Sequence, residues 1–136
     1  MFKCLAPGCL GIKLPWEEWP ALAASTGFDA VDVQLDPSKG AAFYHDAMEA
    51  HGIRPGGAGL PVQFRKGQVE FDETLAGLEA MAKLASRIGL SRFYTWILPA
   101  SDELPFDENY RLHASRLGEC ARVLRSFGCR LGLEFV

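Results

Sequence analysis

The stretch Phe28-Asp-Ala-Val-Asp-Val-Gln-Leu35 decides the fold class, because apolar and polar residues alternate along it with the period of a β-strand. A helical pattern over residues 15–26 precedes it, and Pro20 within that pattern predicts a kink or a late helix start. A second helical pattern, residues 41–51, follows the stretch. The order helix, strand, helix is typical of a parallel α/β protein.

The same alternation of apolar runs and helical patterns continues in both directions along the chain. The other strands are predicted at residues 2–6, from Ile53 into Gly56-Gly57-Ala58-Gly59, at residues 92–98 and at residues 129–136. The small residues of the third run predict a close approach to the backbone. The other helices are predicted at residues 72–88, with Asp72 as the N-cap, and at residues 108–127, with a stripe of Leu117, Cys120 and Leu124. Residues 62–71 suggest a hairpin around Lys66-Gly67.

Five parallel strands with four intervening helices fit either a doubly wound sheet or part of a barrel. A doubly wound dinucleotide-binding sheet requires a G-x-G-x-x-G fingerprint after its first strand, and Pro7-Gly8-Cys9-Leu10-Gly11 lacks that spacing. We therefore predict a partial TIM (β/α)8 barrel. A complete barrel takes roughly 250 residues. Residues 1–136 are accordingly expected to form the N-terminal part of a single barrel domain.

The composition is that of an ordinary globular protein, with 49% hydrophobic and 23% charged residues. A formal net charge of -3 provides no basic field, so nucleic acid is not expected as a partner. No apolar run approaches the roughly 20 residues of a membrane span, and the N-terminus lacks the pattern of a signal peptide. These features predict a cytoplasmic protein without a membrane partner. The cysteines form no C-x-x-C pair and are predicted to be free thiols.

Side chains at the carboxyl ends of barrel strands converge on one mouth, where active sites lie. In the fifth strand, Leu131, Leu133 and Phe135 share one face, and Gly132 and Glu134 share the other. The apolar face should pack against helices, which leaves Glu134 pointing inward near the mouth. A carboxylate there requires a cation, a metal ion or strong hydrogen-bond donors. Glu134 is therefore the candidate catalytic and metal-ligating residue, and an ion pair with an interior Lys or Arg is the structural alternative.

Four further residues near strand ends are candidate substrate contacts. Gln34 ends the second strand, with Asp32 deeper on the same face, and could hydrogen-bond a hydroxyl group. Gln63 and Phe64 follow the third strand, and Trp96 lies near the end of the fourth. Together they could provide the polar contacts and the apolar wall of a sugar pocket. The structural alternatives are a solvated strand end for Gln34 and core packing for the aromatic residues.

Four segments, in this order and spacing, resemble the sugar phosphate isomerase/epimerase family with the xylose isomerase-like barrel: residues 19–33 (WPALAASTGFDAVDV), 51–53 (HGI), 95–97 (TWI) and 130–136 (RLGLEFV). The likeness extends over the whole chain. It implies a divalent metal ion, commonly Mn²⁺, Mg²⁺, Co²⁺ or Zn²⁺, held at the barrel mouth by Glu, Asp, His and Glu from successive later strands. Of these ligands, only the first Glu has a counterpart here, which is Glu134.

The resemblance further implies isomerisation or epimerisation of a sugar, in which the metal polarises a carbonyl group and carboxylates move a proton. Because the other ligands have no counterpart, we expect the metal only in a complete protein and an inactive chain without a complementary barrel half. One alternative is a half-barrel that forms a homo-oligomer through its open edges and acts as a scaffold or binding module. Another is a DNA-repair enzyme like endonuclease IV, although the acidic charge balance disfavours it.

Overall fold

The computed structural model describes residues 1–98 and 100–135. These residues form six strands and four α-helices, with two 3-10 helices, Pro7–Leu10 and Trp16–Glu18, near the amino terminus. The strands are β1 (Cys4–Leu5), β2 (Ala30–Val31), β3 (Arg54–Pro55), β4 (Ala58–Gly59), β5 (Arg92–Ile97) and β6 (Arg130–Phe135). The helices are α1 (Trp19–Ser25), α2 (Gly40–Glu49), α3 (Gln68–Arg87) and α4 (Phe106–Ser126). Pro99 and Val136, at the predicted ends of two strands, lie outside the described residues.

The strands form two three-stranded parallel sheets, with the orders β1-β2-β3 and β4-β5-β6. The prediction of five strands is wrong in number, because the third apolar run is divided into β3 and β4 at Gly56-Gly57. The backbone remains hydrogen-bonded through this break: Gly56 N donates to Val31 O and Val33 N donates to Gly57 O, each at 2.8 Å. The run therefore passes from one sheet to the other, and the α/β architecture of strand, helix and parallel strand is retained.

The predicted close backbone approach is confirmed at Gly56 and Gly57. A Cβ atom added to Gly56 would lie 2.1 Å from Cys4 Sγ, and one added to Gly57 would lie 3.3 Å from the ring of Tyr94. At Gly56, only a residue without a side chain leaves room for the thiol, and at Gly57 an added Cβ atom would be in tight contact with the phenol ring.

The helix that contains Pro20 begins late, as predicted. A 3-10 turn over Trp16–Glu18 comes first, and α1 then begins at Trp19 with Pro20 in its first turn. Proline is tolerated there because the amide groups of the first turn have no partner within the helix. The stripe Leu117, Cys120 and Leu124 of α4 is buried, as expected, and packs with α3 in the core.

The predicted hairpin around Lys66-Gly67 is wrong, and so is the N-cap at Asp72. Helix α3 begins at Gln68, with Gly67 in the N-cap position and a bond from Phe71 N to Gly67 O at 3.1 Å. The preceding turn is held from α4: Arg116 donates to the carbonyl oxygens of Phe64 and Lys66, at 2.9 and 2.6 Å. A distant buried cation, rather than local turn chemistry, fixes this segment.

All four cysteines are free thiols, as predicted from their spacing. Within the described residues, the helices are too short or too polar to cross a membrane.

Candidate functional site

The carboxyl ends of β5 and β6 bring two of the predicted site residues together. Trp96 is the direct neighbour of Glu134 in the parallel register, as Tyr94 is of Gly132. Paired residues of adjacent strands point to the same face of a sheet. Leu131 and Leu133 line a groove beside α4, so Trp96 and Glu134 lie on the opposite face, which is the interior of the half-barrel. Both side chains are exposed.

Trp96 is covered on one side by Arg65, a residue that the sequence did not single out. The guanidinium carbon lies 4.0 Å from the centroid of the Trp96 ring and 4.2 Å from that of Phe64. Arg65 also donates to the carbonyl oxygen of Trp96. Burial lowers the pKa of the Arg65 side chain, which still remains protonated at neutral pH. Arg65 thus fixes the turn after β4 against the end of β5.

The other predicted substrate contacts lie on the segments that follow β2 and β4. Phe64 is only 2% exposed and belongs to the core, with its ring centroid 5.4 Å from that of His113. Gln63 is exposed, and its backbone amide donates to Thr74 Oγ1 at 2.9 Å. Gln34 is exposed at the end of the second strand run, and its carbonyl oxygen accepts a bond from Tyr44 at 2.9 Å. Their roles as substrate contacts stay predictions.

A carboxylate, a phenol and a thiol meet in the interior between the two sheets. Tyr94 Oη donates to Asp32 Oδ2 at 2.5 Å, and Cys4 Sγ lies 3.5 Å from Asp32 Oδ1. Burial raises the pKa of Asp32, and the hydrogen bonds from Tyr94 and Cys4 lower it in part. Burial, together with the Asp32 charge, raises the pKa of Cys4 to about 12, and the same causes raise the pKa of Tyr94. Both donors therefore keep their protons at neutral pH.

This polar cluster separates two cavities. A cavity of about 620 Å³ lies toward the amino ends of the strands, between Phe2, Arg92 and Arg130. A smaller one, of about 150 Å³, lies toward the carboxyl ends, between Cys9, Gln34 and Gly59. Asp32 and Tyr94 line both. We call the smaller cavity the β1–β2 subpocket; its lining residues are Gly8, Cys9, Trp19, Asp32, Val33, Gln34, Gly59 and Tyr94.

Asp32 and Tyr94 were not among the residues predicted for the site. A partial signal was present, because strand alternation places Tyr94 on the same face as Trp96 and Asp32 on the same face as Gln34. The alternation did not show that the face with Tyr94 lies against the face with Asp32.

The described residues do not provide a complete metal site. Within residues 1–98 and 100–135, no group of three or more His, Cys, Asp or Glu side chains is placed to hold a metal ion. A divalent cation requires several oxygen or nitrogen ligands, so the carboxylate of Glu134 cannot retain one by itself.

The fold is similar to solved structures of about twice the length. A xylose isomerase domain protein from Alicyclobacillus acidocaldarius superimposes with a TM-score of 0.83 at 28% identity, over 100% of this chain and 50% of its own. The zinc-binding IolI protein gives 0.77 at 16% identity, over 100% of this chain and 52% of its own. A D-psicose 3-epimerase solved in the presence of D-fructose gives a TM-score of 0.70 at 12% identity, over 96% of this chain and 51% of its own.

No protein-family model and no curated protein matches the chain by sequence. The structural matches nevertheless confirm the family resemblance that the four sequence segments indicated. The chain spans about half the length of the solved structures that it matches. It resembles the sugar phosphate isomerase/epimerase family with the xylose isomerase-like barrel, and its extent is consistent with the N-terminal half of that barrel.

Proposed function

We propose that this chain supplies the N-terminal half of a sugar isomerase or epimerase, which acts on an aldose or ketose and is inactive without a complementary half of the barrel. The observation that carries this proposal is the position of Glu134. It lies beside Trp96, on the interior face and at the carboxyl end of the last described strand. In a parallel barrel, this is the end of the strands at which catalytic residues are found.

In this proposal, Glu134 contributes one metal ligand, and the remaining ligands come from the complementary half. The β6 strand supports this arrangement, since among the described strands it pairs only with β5 and its other edge is open. The substrate would lie against Trp96, with Gln34 and Gln63 within the same strand-end region. Phe64 would act as the support beneath Arg65, because its ring is buried.

A hybrid barrel tests this function. Residues 1–136 are joined to the second half of the Alicyclobacillus xylose isomerase domain protein, and ¹³C NMR follows the conversion of unphosphorylated ketoses and aldoses with Mn²⁺ or Mg²⁺ present. We expect conversion by the hybrid and none by the chain alone. Glu134→Gln should lower the rate by at least about 100-fold, because a neutral amide is a poor ligand for a divalent cation.

The matched control is Glu79→Gln, the same substitution at an exposed position of α3. The rate of this control should stay within about twofold of that of the unsubstituted hybrid, as expected for a surface position away from the active site. A folded hybrid that converts no sugar, or one that Glu134→Gln leaves fully active, contradicts the proposal.

A second function, the dimerising half-barrel, is favoured by the surface around β6. Leu133 is 51% exposed and Phe135 is 86% exposed, and a groove of about 510 Å³ lies between β6 and α4. An open strand edge next to an apolar groove promotes association between chains.

Sedimentation velocity at micromolar concentration separates the two functions. A half-barrel that acts alone should sediment as a dimer, and Leu133→Asp should convert it to a monomer. The matched control is Val69→Asp, which introduces the same charge at an apolar residue that is 67% exposed on α3. A monomeric wild-type chain rules out this second function.

A further inference from the structure

The β1–β2 subpocket has the size of a fragment of a sugar rather than that of a whole one. Its volume is about 150 Å³. Liquid water would fill this space with about five molecules, at roughly 30 Å³ each. A chain of two or three carbon atoms with their hydroxyl groups fits such a volume, whereas a complete hexose requires more.

The polar atoms of the subpocket suit hydroxyl groups. The side-chain amide of Gln34 offers both donors and an acceptor, and Tyr94 Oη can still accept a bond while it donates to Asp32. The indole nitrogen of Trp19 is already bonded to Leu14 O at 3.1 Å, so this residue presents mainly an apolar surface. A wall with both polar and apolar parts matches the C–H and O–H groups of a polyol.

The charge of the subpocket is unfavourable for an anion. Asp32 lies at its base, and none of the eight lining residues named above is Lys or Arg. A phosphate group placed there would meet a carboxylate at short range without a compensating cation. In the partly buried interior, such repulsion is screened less than it is in water.

We propose that the β1–β2 subpocket binds the uncharged, hydroxylated end of an open-chain sugar, and that the bonded pair of Asp32 and Tyr94 excludes a phosphate group from it. This inference rests on the proposed function, because it assigns one end of the substrate of the same barrel mouth. It makes Gln34 a binding residue and Asp32 a determinant of specificity.

The test is a titration of the ¹⁵N-labelled chain with glycerol and, separately, with glycerol 3-phosphate. Glycerol should shift the amide signals of Gly8, Gln34 and Gly59 in a saturable manner, and glycerol 3-phosphate should shift them at least tenfold less at equal concentration. Gln34→Ala should weaken glycerol binding by about five- to tenfold, the effect of one or two lost hydrogen bonds.

Asp32→Asn keeps the size of the side chain and removes its charge. It should therefore bring the amide signal shifts caused by glycerol 3-phosphate closer to those caused by glycerol. Asp46→Asn is the control, because it removes the same charge at an exposed position of α2. The dispersion of the amide spectrum establishes that each variant is folded. Equal shifts with both probes, or glycerol shifts located elsewhere in the chain, would overturn the inference.

Failure of this inference is distinguishable from failure of the proposed function. A hybrid barrel that converts sugars while the chain binds no glycerol leaves the function intact and rejects the subpocket. Selective glycerol binding together with an inactive hybrid keeps the subpocket and rejects the isomerase.

Discussion

Two carboxylates lie on the interior face of this half-barrel, and their surroundings differ. Asp32, between the two sheets, accepts bonds from Tyr94 and Cys4, and it is partly buried. Glu134, on the edge strand β6, is exposed. Within the described residues, the carboxylate between the two sheets is thus already hydrogen-bonded, whereas the carboxylate on β6 is open to solvent. The position of each residue in the sheet, rather than its type, separates these two environments.

The chain passes from one sheet to the other at Gly56-Gly57, which we call the sheet junction. The glycines of this junction and of the β6 edge also differ in their surroundings. Substitution at the junction should have the largest effect on stability. A Cβ atom at Gly56 would lie 2.1 Å from Cys4 Sγ and 3.3 Å from Val31 O. We expect Gly56→Ala to lower the free energy of unfolding by about 2 kcal/mol, the usual cost of overpacking. Urea denaturation followed by circular dichroism measures this change.

Gly132 provides the matched position on β6, because its added Cβ would meet nothing closer than Phe93 O at 3.6 Å. Gly132→Ala should therefore change the free energy of unfolding by less than about 0.5 kcal/mol. Adding Cys4→Ala to the Gly56→Ala variant should restore part of the loss by removing the sulfur atom. Equal denaturation midpoints for the two glycine variants would show that the junction is not more tightly packed than the edge.

Truncation of the two carboxylates should change the free energy of unfolding by less than Gly56→Ala does. The change should be larger for Asp32 than for Glu134. Asp32→Ala leaves the Tyr94 hydroxyl and the Cys4 thiol without their acceptor, which should lower the free energy of unfolding by about 1–2 kcal/mol. Glu134→Ala should change it by less than about 0.5 kcal/mol, as is usual for an exposed side chain. Thermal and urea unfolding of both variants measure the difference. If Glu134→Ala is the more destabilising variant, the contrast between the two carboxylates is incorrect.

The raised pKa of Asp32 predicts a dependence of stability on pH. The folded state holds this proton more tightly than the unfolded state does, since burial raises the pKa above its ordinary value of 3.8. Its contribution to stability is complete below pH 3.8 and is lost as the pH rises through the folded-state pKa. The free energy of unfolding of the wild type, relative to that of Asp32→Asn, should therefore fall as the pH rises through this window. A difference that stays constant or increases would contradict the burial of the charge.

Much of the fold could be predicted from local patterns. The alternation of residues 28–35 and the apolar stripe of α4 depend on near neighbours in the sequence, and both indicated their element types correctly. The tight packing at Gly56 involves instead the sulfur atom of Cys4, which comes from another strand. The turn before α3 depends on Arg116, 50 residues away from the Lys66 carbonyl that it binds. Local patterns carry no record of such contacts.

The site was predictable to a similar extent. Strand alternation and parallel register are enough to place Trp96 beside Glu134 on one face. The bond from Tyr94 to Asp32 joins residues that are 62 positions apart: Tyr94 lies in β5, and Asp32 directly follows β2 of the other sheet. Its existence depends on how the sheets curve towards each other, which alternation alone does not determine.

The smallest expected effect concerns Arg65, which covers Trp96 beside the exposed Glu134. Stacking of the guanidinium on the ring contributes about 0.5–1 kcal/mol at such a site, so Arg65→Ala should lower the free energy of unfolding by that amount. It should also raise the quenching of tryptophan fluorescence by acrylamide. Trp16 and Trp19 are only 5% and 3% exposed, so the change reports on Trp96, which is 47% exposed. Arg111→Ala, at an exposed position of α4, is the control and should leave the quenching unchanged. If acrylamide quenches the tryptophan fluorescence of both variants to the same extent, Arg65 does not shield this strand end. Trp96 is then as open to solvent as Glu134.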